Sequence, residues 1–250
     1  MHRFFLPPEL CSTATLRLTG REAHHALHVL RLKPGERVTV LDGAGNEFSG
    51  AVGNAAKDSL ALTVLEKKFT VAPPCAISLF VAVPKGKIIE GIIQKAVELG
   101  AHRIVPLLTE RVVTQLDGDG AESKREKWQQ VAIEAIKQCG AAWLPMVDAP
   151  VVLPEFLART KLPELSLVGS LQTERQHPRK VLAEFQSQHG RAPQSVGVWI
   201  GPEGDFTLAE LQAIAAIGAK PITLGPLTLR VETAAIYCLS FLNYELNATP

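Results

Sequence analysis

Residues 37–41 (RVTVL) and 46–52 (NEFSGAV) place apolar side chains on either side of Asp42-Gly43-Ala44-Gly45, a strand, glycine-rich turn, strand pattern that predicts a hairpin. Residues 59–65 (SLALTVL) alternate well enough to add a strand, and 15–18 supply a further one. This part of the chain reads as a small β-barrel or compact sheet. One helix interrupts it over 20–31, with Thr19 as its cap, Ala23, Leu27, Val29 and Leu30 as its apolar contacts, and Lys33-Pro34-Gly35 as its stop. Val71-Ala72-Pro73-Pro74 then reads as a linker, which divides the chain into domains of 1–72 and 73–250.

From Cys75 onward strands and helices alternate, the pattern of an α/β sheet with parallel neighbours. Residues 76–83 form an almost wholly apolar strand. A helix over 87–99 carries Ile88, Ile92, Ile93, Ala96, Val97 and Leu99 on one face, with Gly100 after its end. A strand begins at 103–107, and a polar loop over 115–123 leads to a helix over 124–139 with Trp128, Val131, Ala132, Ala135 and Ile136 on its apolar side and Gly140 at its end. A short helix at 154–159, a strand at 165–169 and a helix at 178–186 come next. The end of the chain reads as strand 196–200, loop 201–206, helix, strand 221–224, loop 225–232, and a helix over 234–246. Thr207 and Glu210 make a Thr-x-x-Glu capping box for the first of these helices, whose Leu208, Leu211, Ile214 and Ile217 face the sheet before Gly218 ends it.

Composition narrows the function classes. Lys and Arg number 26 against 25 Asp and Glu, a net charge of +1, so a nucleic-acid contact has to be local rather than a property of the whole surface. The first 72 residues, with nine basic and seven acidic side chains, are only mildly basic at +2. No apolar run reaches the ~20 residues that cross a bilayer, and Arg3 is followed by only Phe4, Phe5 and Leu6 before Pro7, too short for a signal peptide. The expectation is a cytoplasmic protein. Cys11, Cys75, Cys139 and Cys238 are scattered with no Cys-x-x-Cys pair, which favours buried free thiols over a disulfide scaffold or zinc site. His24 and His28 are spaced for a shared metal on a helix, but no third ligand stands at a motif spacing, so no metal is expected.

The two late loops, Gly201-Pro202-Glu203-Gly204 and Gly225-Pro226-Leu227-Thr228-Leu229-Arg230, each follow a strand at its carboxyl end, where ligands bind in open α/β sheets. Together they could wall a nucleotide-sized pocket, because glycine lets the backbone approach a ligand closely. On periodicity alone, two ordinary strand-to-helix turns explain the pattern as well. No G-x-G-x-x-G occurs, since Gly43 and Gly45 are followed by Phe48 where the third glycine belongs, and no Walker phosphate loop occurs either.

The strings GPEGDFT at 201–207 and LGPLTLRVETA at 224–234 resemble the paired signature of the knotted SPOUT-class RNA methyltransferases. With RFF at 3–5, HHALHVLRLKPGE at 24–36, DGAGNEF at 42–48, QKAVELG at 94–100, PLLTER at 106–111 and KWQQVAIEAIKQCG at 127–140, the chain resembles the ribosomal RNA small subunit methyltransferase E family over nearly its whole length. The resemblance implies an N-terminal PUA-like β-barrel that helps hold RNA and a C-terminal SPOUT α/β domain tied in a trefoil knot. It implies a homodimer that binds S-adenosyl-L-methionine in the knot loops and methylates N3 of one uridine of 16S ribosomal RNA, free or within the small ribosomal subunit. Two rivals remain at this point: a knotted methyltransferase with another target, and a non-catalytic RNA-binding assembly factor.

The resemblance also assigns residues. Cofactor contacts fall on Leu171, Gly201, Pro202, Glu203, Gly204, Leu224, Gly225, Leu229, Arg230 and Thr233, with the leucines offering apolar faces to the adenine. Arg230 is the side chain expected to stabilise the uridine anion, because a guanidinium stays charged and presents fixed donors. Glu232 reads either as the base that takes the N3 proton or as an acid favoured by a helix N-terminus. Thr233 caps the last helix or bonds the base, and Glu203 holds a ribose hydroxyl or orders its own loop. Arg3, Lys85, Lys87 and Arg111 are placed by analogy as RNA contacts. Arg21, His25 and Arg31 meet phosphates or form a solvated face. Three positions depart from the family pattern, which has glycine where Asp205 stands and arginine where Leu227 and Ala141 stand.

Overall fold

The computed structural model describes residues 1–112, 118–159, 161–171 and 174–248. The chain forms two compact units, Met1–Ala72 with Ile133–Leu144, and Pro73–Ala132 with Pro145–Pro250.

In the first unit the strands β1 (His2–Phe5), β2 (Thr15–Thr19), β3 (Arg37–Leu41), β4 (Asn46–Ala56) and β5 (Ser59–Phe69) make one sheet in the order β1-β3-β4-β5-β2. The hairpin of β3 and β4 is present, with Gly43 and Gly45 at positive φ in its turn. Both strands after it run longer than the alternation indicates, because β4 and β5 stay paired to Asn46↔Phe69, through two register shifts. The first strand, β1, is an edge pairing parallel to β3 that four residues of sequence could not announce. Phe4, Leu16, Leu18, Val38, Val40, Leu60 and Leu62 form the core between the sheet and the helical segment.

That helical segment is not one α-helix over 20–31. It is α1 (Gly20–His24) followed by a π-helical turn, His25–Val29, in which the Leu30 amide donates to the His25 carbonyl at 2.9 Å. Thr19 holds the cap position but its side chain makes no capping bond. Ala23 and Ala26 are buried along this segment, which ends where Arg31 takes a φ of 55°. The stretch 133–144 joins this unit through specific bonds. Arg3 donates to the Lys137 and Gln138 carbonyls, Lys137 pairs with Glu22 at 2.8 Å, and the Trp143 indole donates to the Thr70 carbonyl.

The second unit is a wholly parallel sheet of β6 (Ala76–Ala82), β7 (Arg103–Leu108), β8 (Met146–Val147), β9 (Val151–Val152), β10 (Leu165–Gly169), β11 (Ser195–Ile200) and β12 (Lys220–Ile222). Its order is β12-β10-β11-β6-β7-β8, with β9 also on β7. The two-residue strands β8 and β9 are too short to carry a periodic signal. Helices α2 (Ile88–Glu98), α4 (Leu153–Arg159), α5 (Pro178–His189), α6 (Leu208–Ala216) and α7 (Val231–Leu246) complete it, with residues 118–132 of α3 (Gly118–Cys139).

Several boundaries and faces differ from the sequence reading. In α2 the buried face is Ile89, Ile92, Ile93, Ala96 and Val97, and Ile88 is 40% exposed, because the helical stripe starts one residue later. Helix α3 begins at Gly118 rather than at 124, where an ion pair of Glu122 with Arg125 one turn along supports its first part; residues 115–117 of the expected loop lie outside the described residues. In α6 the capping box of Thr207 and Glu210 is formed, and Ile214 is buried with Leu211 and Ile217 packed beside the core. Leu208, at the first helical position, turns outward instead and is 67% exposed. Strand β12 stops at Ile222 because the Thr223 hydroxyl takes the Gly225 amide at 3.2 Å and bends the chain. Helix α7 starts at Val231, so Glu232 and Thr233 lie inside its first turn.

Candidate functional site

The carboxyl ends of β10, β11 and β12 converge on one cleft. Both glycine-led loops reach it. Its walls include Gly169, Ser170 and Leu171 at the end of β10, Ile200, Gly201, Pro202, Glu203 and Asp205 at the end of β11, and Leu224, Gly225, Leu227, Thr228 and Leu229 after β12. Val231 and Ala234 of α7 close its floor.

Local chemistry sets each loop. The Asp205 amide donates to the Pro202 carbonyl at 2.9 Å, which closes the first turn, and the Asp205 carboxylate takes the Phe206 amide at 2.8 Å. Phe206 is buried beside Trp199 and Phe80, anchoring the loop in the core. The Glu210 carboxylate takes the Thr207 amide as part of the α6 cap and the Glu110 amide at 2.8 Å, which fastens the end of β7 to the same helix. In the third loop, Gly225 holds a φ of 107° that only glycine adopts freely, shaped by the Thr223 hydroxyl. The β10 and β12 loops are laced together: Ser170 donates to the Ile222 carbonyl, Gln176 to Pro221, and Thr223 to Gln176.

Glycine leaves room at two points of the wall. A Cβ on Gly201 would stand 3.0 Å from the Phe206 nitrogen and 3.1 Å from the Asp205 Oδ1. A Cβ on Gly169 would stand 3.3 Å from the Leu224 Cδ1 and 3.4 Å from the Ile200 Cδ1, narrowing the cleft between its apolar sides. Gly169, Ser170 and Arg175 were not signalled by the sequence, because nothing in it says that the end of β10 meets the later loops. That juxtaposition comes from β12 lying beyond β10 in the sheet.

Of the residues assigned to cofactor, Leu171, Gly201, Pro202, Glu203, Leu224, Gly225 and Leu229 are brought together in the cleft wall. Gly204, Arg230 and Thr233 are not. Gly204 faces away, with its hydrogen side against the Arg111 Cδ. Arg230 stands at the cap position of α7, exposed, between the lining residues Leu229 and Val231. Thr233 is exposed in the first turn and is not the cap, because the helix starts at Val231. Glu232 lies in that same first turn, outside the wall.

The basic residues divide by what already holds them. Arg111 donates through Nη1 to the Gly204 carbonyl and, at 3.3 Å, to that of Asp205, so it clasps the first loop. Lys85 and Lys87 are exposed on the segment after β6, and the Lys85 amide reaches the Glu203 carboxylate at 3.4 Å. In the first unit Arg3 is half-buried with its guanidinium on the last carbonyls of α3, whereas Arg21 and Arg31 are exposed. Arg21 lies 3.5 Å from Glu134, and the half-buried His25 ring stands edge-on to Phe4. The His24 and His28 rings are 4.9 Å apart, and no group of three or more metal-ligating side chains gathers among the described residues.

Comparison with known proteins places this geometry. The RNA methyltransferase domain family matches residues 71–243, and the RNA methyltransferase PUA domain matches residues 18–65. Ribosomal RNA small subunit methyltransferase E of Synechocystis is 33% identical over 249 residues, spanning 99% of this chain and 78% of that protein. The Bacillus subtilis protein of the same name is 29% identical and covers 98% of this chain and 97% of its own. Among solved structures, the Neisseria gonorrhoeae ribosomal RNA small subunit methyltransferase E bound to S-adenosyl methionine superposes with a TM-score of 0.83 at 28% identity, covering 98% of both chains. A Legionella pneumophila protein solved with bound cofactor SAM gives 0.85 at 31% identity over 97% of both. A parallel sheet with a glycine-walled cleft at its carboxyl edge, a PUA unit at the N-terminus, and likeness along the full chain lead to one assignment: the chain belongs to the ribosomal RNA small subunit methyltransferase E family.

Proposed function

We propose that this chain methylates N3 of a uridine in 16S ribosomal RNA with S-adenosyl-L-methionine bound in the cleft at the ends of β10, β11 and β12. The observation that carries the reading is the meeting of both glycine-led loops in one wall. The walls fit an adenosine-like ligand. Leu171, Leu224 and Leu229 offer apolar faces, and glycine at 169 and 201 leaves the space a Cβ would fill. The bound cofactor supplies a methyl group activated on a sulfonium.

The protein's own part is positioning and charge. N3 of a paired uridine is stacked and protonated, so the target has to be unstacked or looped RNA. Arg230, exposed at the cleft rim with no helix-capping duty, is free to face a uracil oxygen and stabilise the anion left when the N3 proton leaves. Glu232, in the first turn of α7, is the base assigned to that proton. Lys85 and Lys87, beside the first loop, and Arg21, His25 and Arg31 of the first unit are the assigned RNA contacts, with residues 1–72 as the RNA-holding domain and 73–250 as the catalytic one.

The trefoil knot belongs to this proposal. It is supported by the path of the chain, which passes from β11 beyond β10 to β12 and returns as α7 to pack against β6, β11 and α2. A homodimer is supported by the outward Tyr237 and Tyr244 of α7, which are 51% and 70% exposed. A cytoplasmic site of action fits an RNA substrate; no described helix is long and apolar enough to cross a membrane. Nucleoside mass spectrometry with position mapping on ribosomal RNA from a deletion strain tests the reading. One N3-methyluridine of 16S RNA should disappear and return on complementation, and an unchanged map refutes it.

A further inference from the structure

We propose that the Asp205 carboxylate makes this cleft prefer a positively charged sulfonium ligand over its neutral thioether product, a discrimination that rests on the S-adenosylmethionine reading above. Asp205 combines features that are unfavourable apart from a ligand. It holds a φ of 60°, the left-handed region that disfavours a residue with a Cβ. Its Oδ1 accepts the Phe206 amide at 2.8 Å, but its Oδ2 is buried and has no hydrogen-bond partner among the described residues. A glycine at this position would remove both penalties. Asp205 nevertheless lines the cleft.

Neither neighbouring guanidinium is hydrogen-bonded to that carboxylate. Arg111 spends its contacts on the carbonyls of Gly204 and Asp205 rather than on the carboxylate. Arg175, which also lines the cleft, donates to the Ser170 carbonyl at 3.2 Å, and Glu203 adds a second lining acid whose Oε1 meets the Lys85 amide. Among the side chains that line the cleft, two acids stand with one guanidinium. Because a partly buried charge acts through a low-dielectric medium, its attraction for a cation needs no direct hydrogen bond. Methyl transfer breaks the S–CH3 bond and forms N3–CH3, the bonding electron pair stays on sulfur, and the N3 proton goes to a base. The positive charge on sulfur is thereby cancelled, so the attraction exerted by Asp205 operates on the substrate form and fades on the product.

Isothermal titration of the full chain with S-adenosylmethionine and with S-adenosylhomocysteine separates the outcomes. Asp205→Asn keeps the shape and the acceptor for the Phe206 amide but removes the charge. Asp205→Gly removes the carboxylate and relieves the backbone, which guards against a folding artefact. Both variants should lower the ratio of product Kd to substrate Kd by about tenfold, equivalent to ~1.4 kcal/mol, with the product Kd within about twofold of the parent. An unchanged ratio in both overturns the inference, and so does an equal loss for both ligands, which would make Asp205 a loop-shaping residue. If the parent chain binds neither ligand, the S-adenosylmethionine reading itself falls.

Discussion

Replacing Gly201 by alanine tests whether the first loop is built around a glycine for lack of space rather than for backbone freedom. The added Cβ would stand 3.0 Å from the Phe206 nitrogen and 3.1 Å from both the Phe206 Cδ2 and the Asp205 Oδ1. None of these can yield cheaply. Phe206 is 2% exposed among Trp199, Phe80 and Phe156, and its amide is held by the Asp205 carboxylate at 2.8 Å. Crowding a packed site of this kind costs ~1–3 kcal/mol, and weakening the charge-assisted bond adds to it. A central loss of ~2 kcal/mol lowers the melting temperature of a chain this long by roughly 4–8 °C. Because the displaced atoms are the cleft wall, affinity for S-adenosylmethionine should fall at least tenfold as well, which a shift in stability alone would not cause. Gly91→Ala supplies the contrast. Gly91 lies inside α2 with nothing within 4 Å of its would-be Cβ, so alanine there should raise stability by ~0.5–1 kcal/mol through helix propensity. Scanning calorimetry and titration calorimetry on both variants decide the matter. If Gly201→Ala melts with the parent and binds cofactor as tightly, the crowding argument is refuted.

Arg230→Ala should leave cofactor affinity within about twofold and lower single-turnover methylation by ~100-fold, the scale of one lost electrostatic donor; unchanged turnover removes Arg230 from the mechanism. Arg3→Met should cost ~1–2 kcal/mol of stability, since the guanidinium serves the Lys137 and Gln138 carbonyls at the end of α3, and should leave the salt dependence of RNA binding unaltered. Lys87→Ala should instead reduce the slope of log K against log salt by about 1, as expected for a phosphate contact, and an identical slope excludes one. Burial pushes the thiols of Cys11 and Cys75 up to about 11 and that of Cys238 up to about 12, whereas Cys139 is exposed. Ellman's reagent at pH 8 should therefore titrate one thiol in the native chain and four after denaturation. The Arg191 guanidinium and the Gln194 amide hold the Glu164 carboxyl down at about 2 from an ordinary 4.5. A depressed carboxylate contributes stability above its unfolded pKa and loses it as pH falls toward the folded one, so Arg191→Gln should matter near neutrality and lose its effect between about pH 4.5 and 2, read by acid unfolding of both forms.

Where the sequence was informative, a local physical rule sufficed. The capping box at Thr207 and Glu210, the hairpin turn at Gly43 and Gly45, and the apolar runs of β6, β10 and β11 each depend on neighbours a few residues apart. What failed was set by long-range pairing. Strand β1 exists because β3 offers it an edge. The first unit's claim on residues 133–144 rests on Arg3, Glu22 and Thr70, none near them in sequence. Helix ends missed by several residues, at Gly118 and Val231, followed from reading glycine and polar residues as loop chemistry.

The cleft shows the same division. Its glycine loops could be picked out singly, yet periodicity could not distinguish them from ordinary turns, because a turn becomes a wall only when a second turn faces it. Sheet order settles that: β10 lies between β11 and β12, so three successive carboxyl ends stand side by side. The lacing of Ser170 to Ile222, Gln176 to Pro221 and Thr223 to Gln176 then fastens the loop after β10 to its neighbour after β12. The loop after β11 is anchored by a different device, the burial of Phe206 in the same core cluster as Trp199. Two rigid loops and one core-anchored loop make a preorganised cleft, and preorganisation is what alignment of a methyl donor with a nucleophile requires. Catalytic failure in a variant that binds cofactor normally should therefore trace to the rim, at Arg230 and Glu232, and not to the wall.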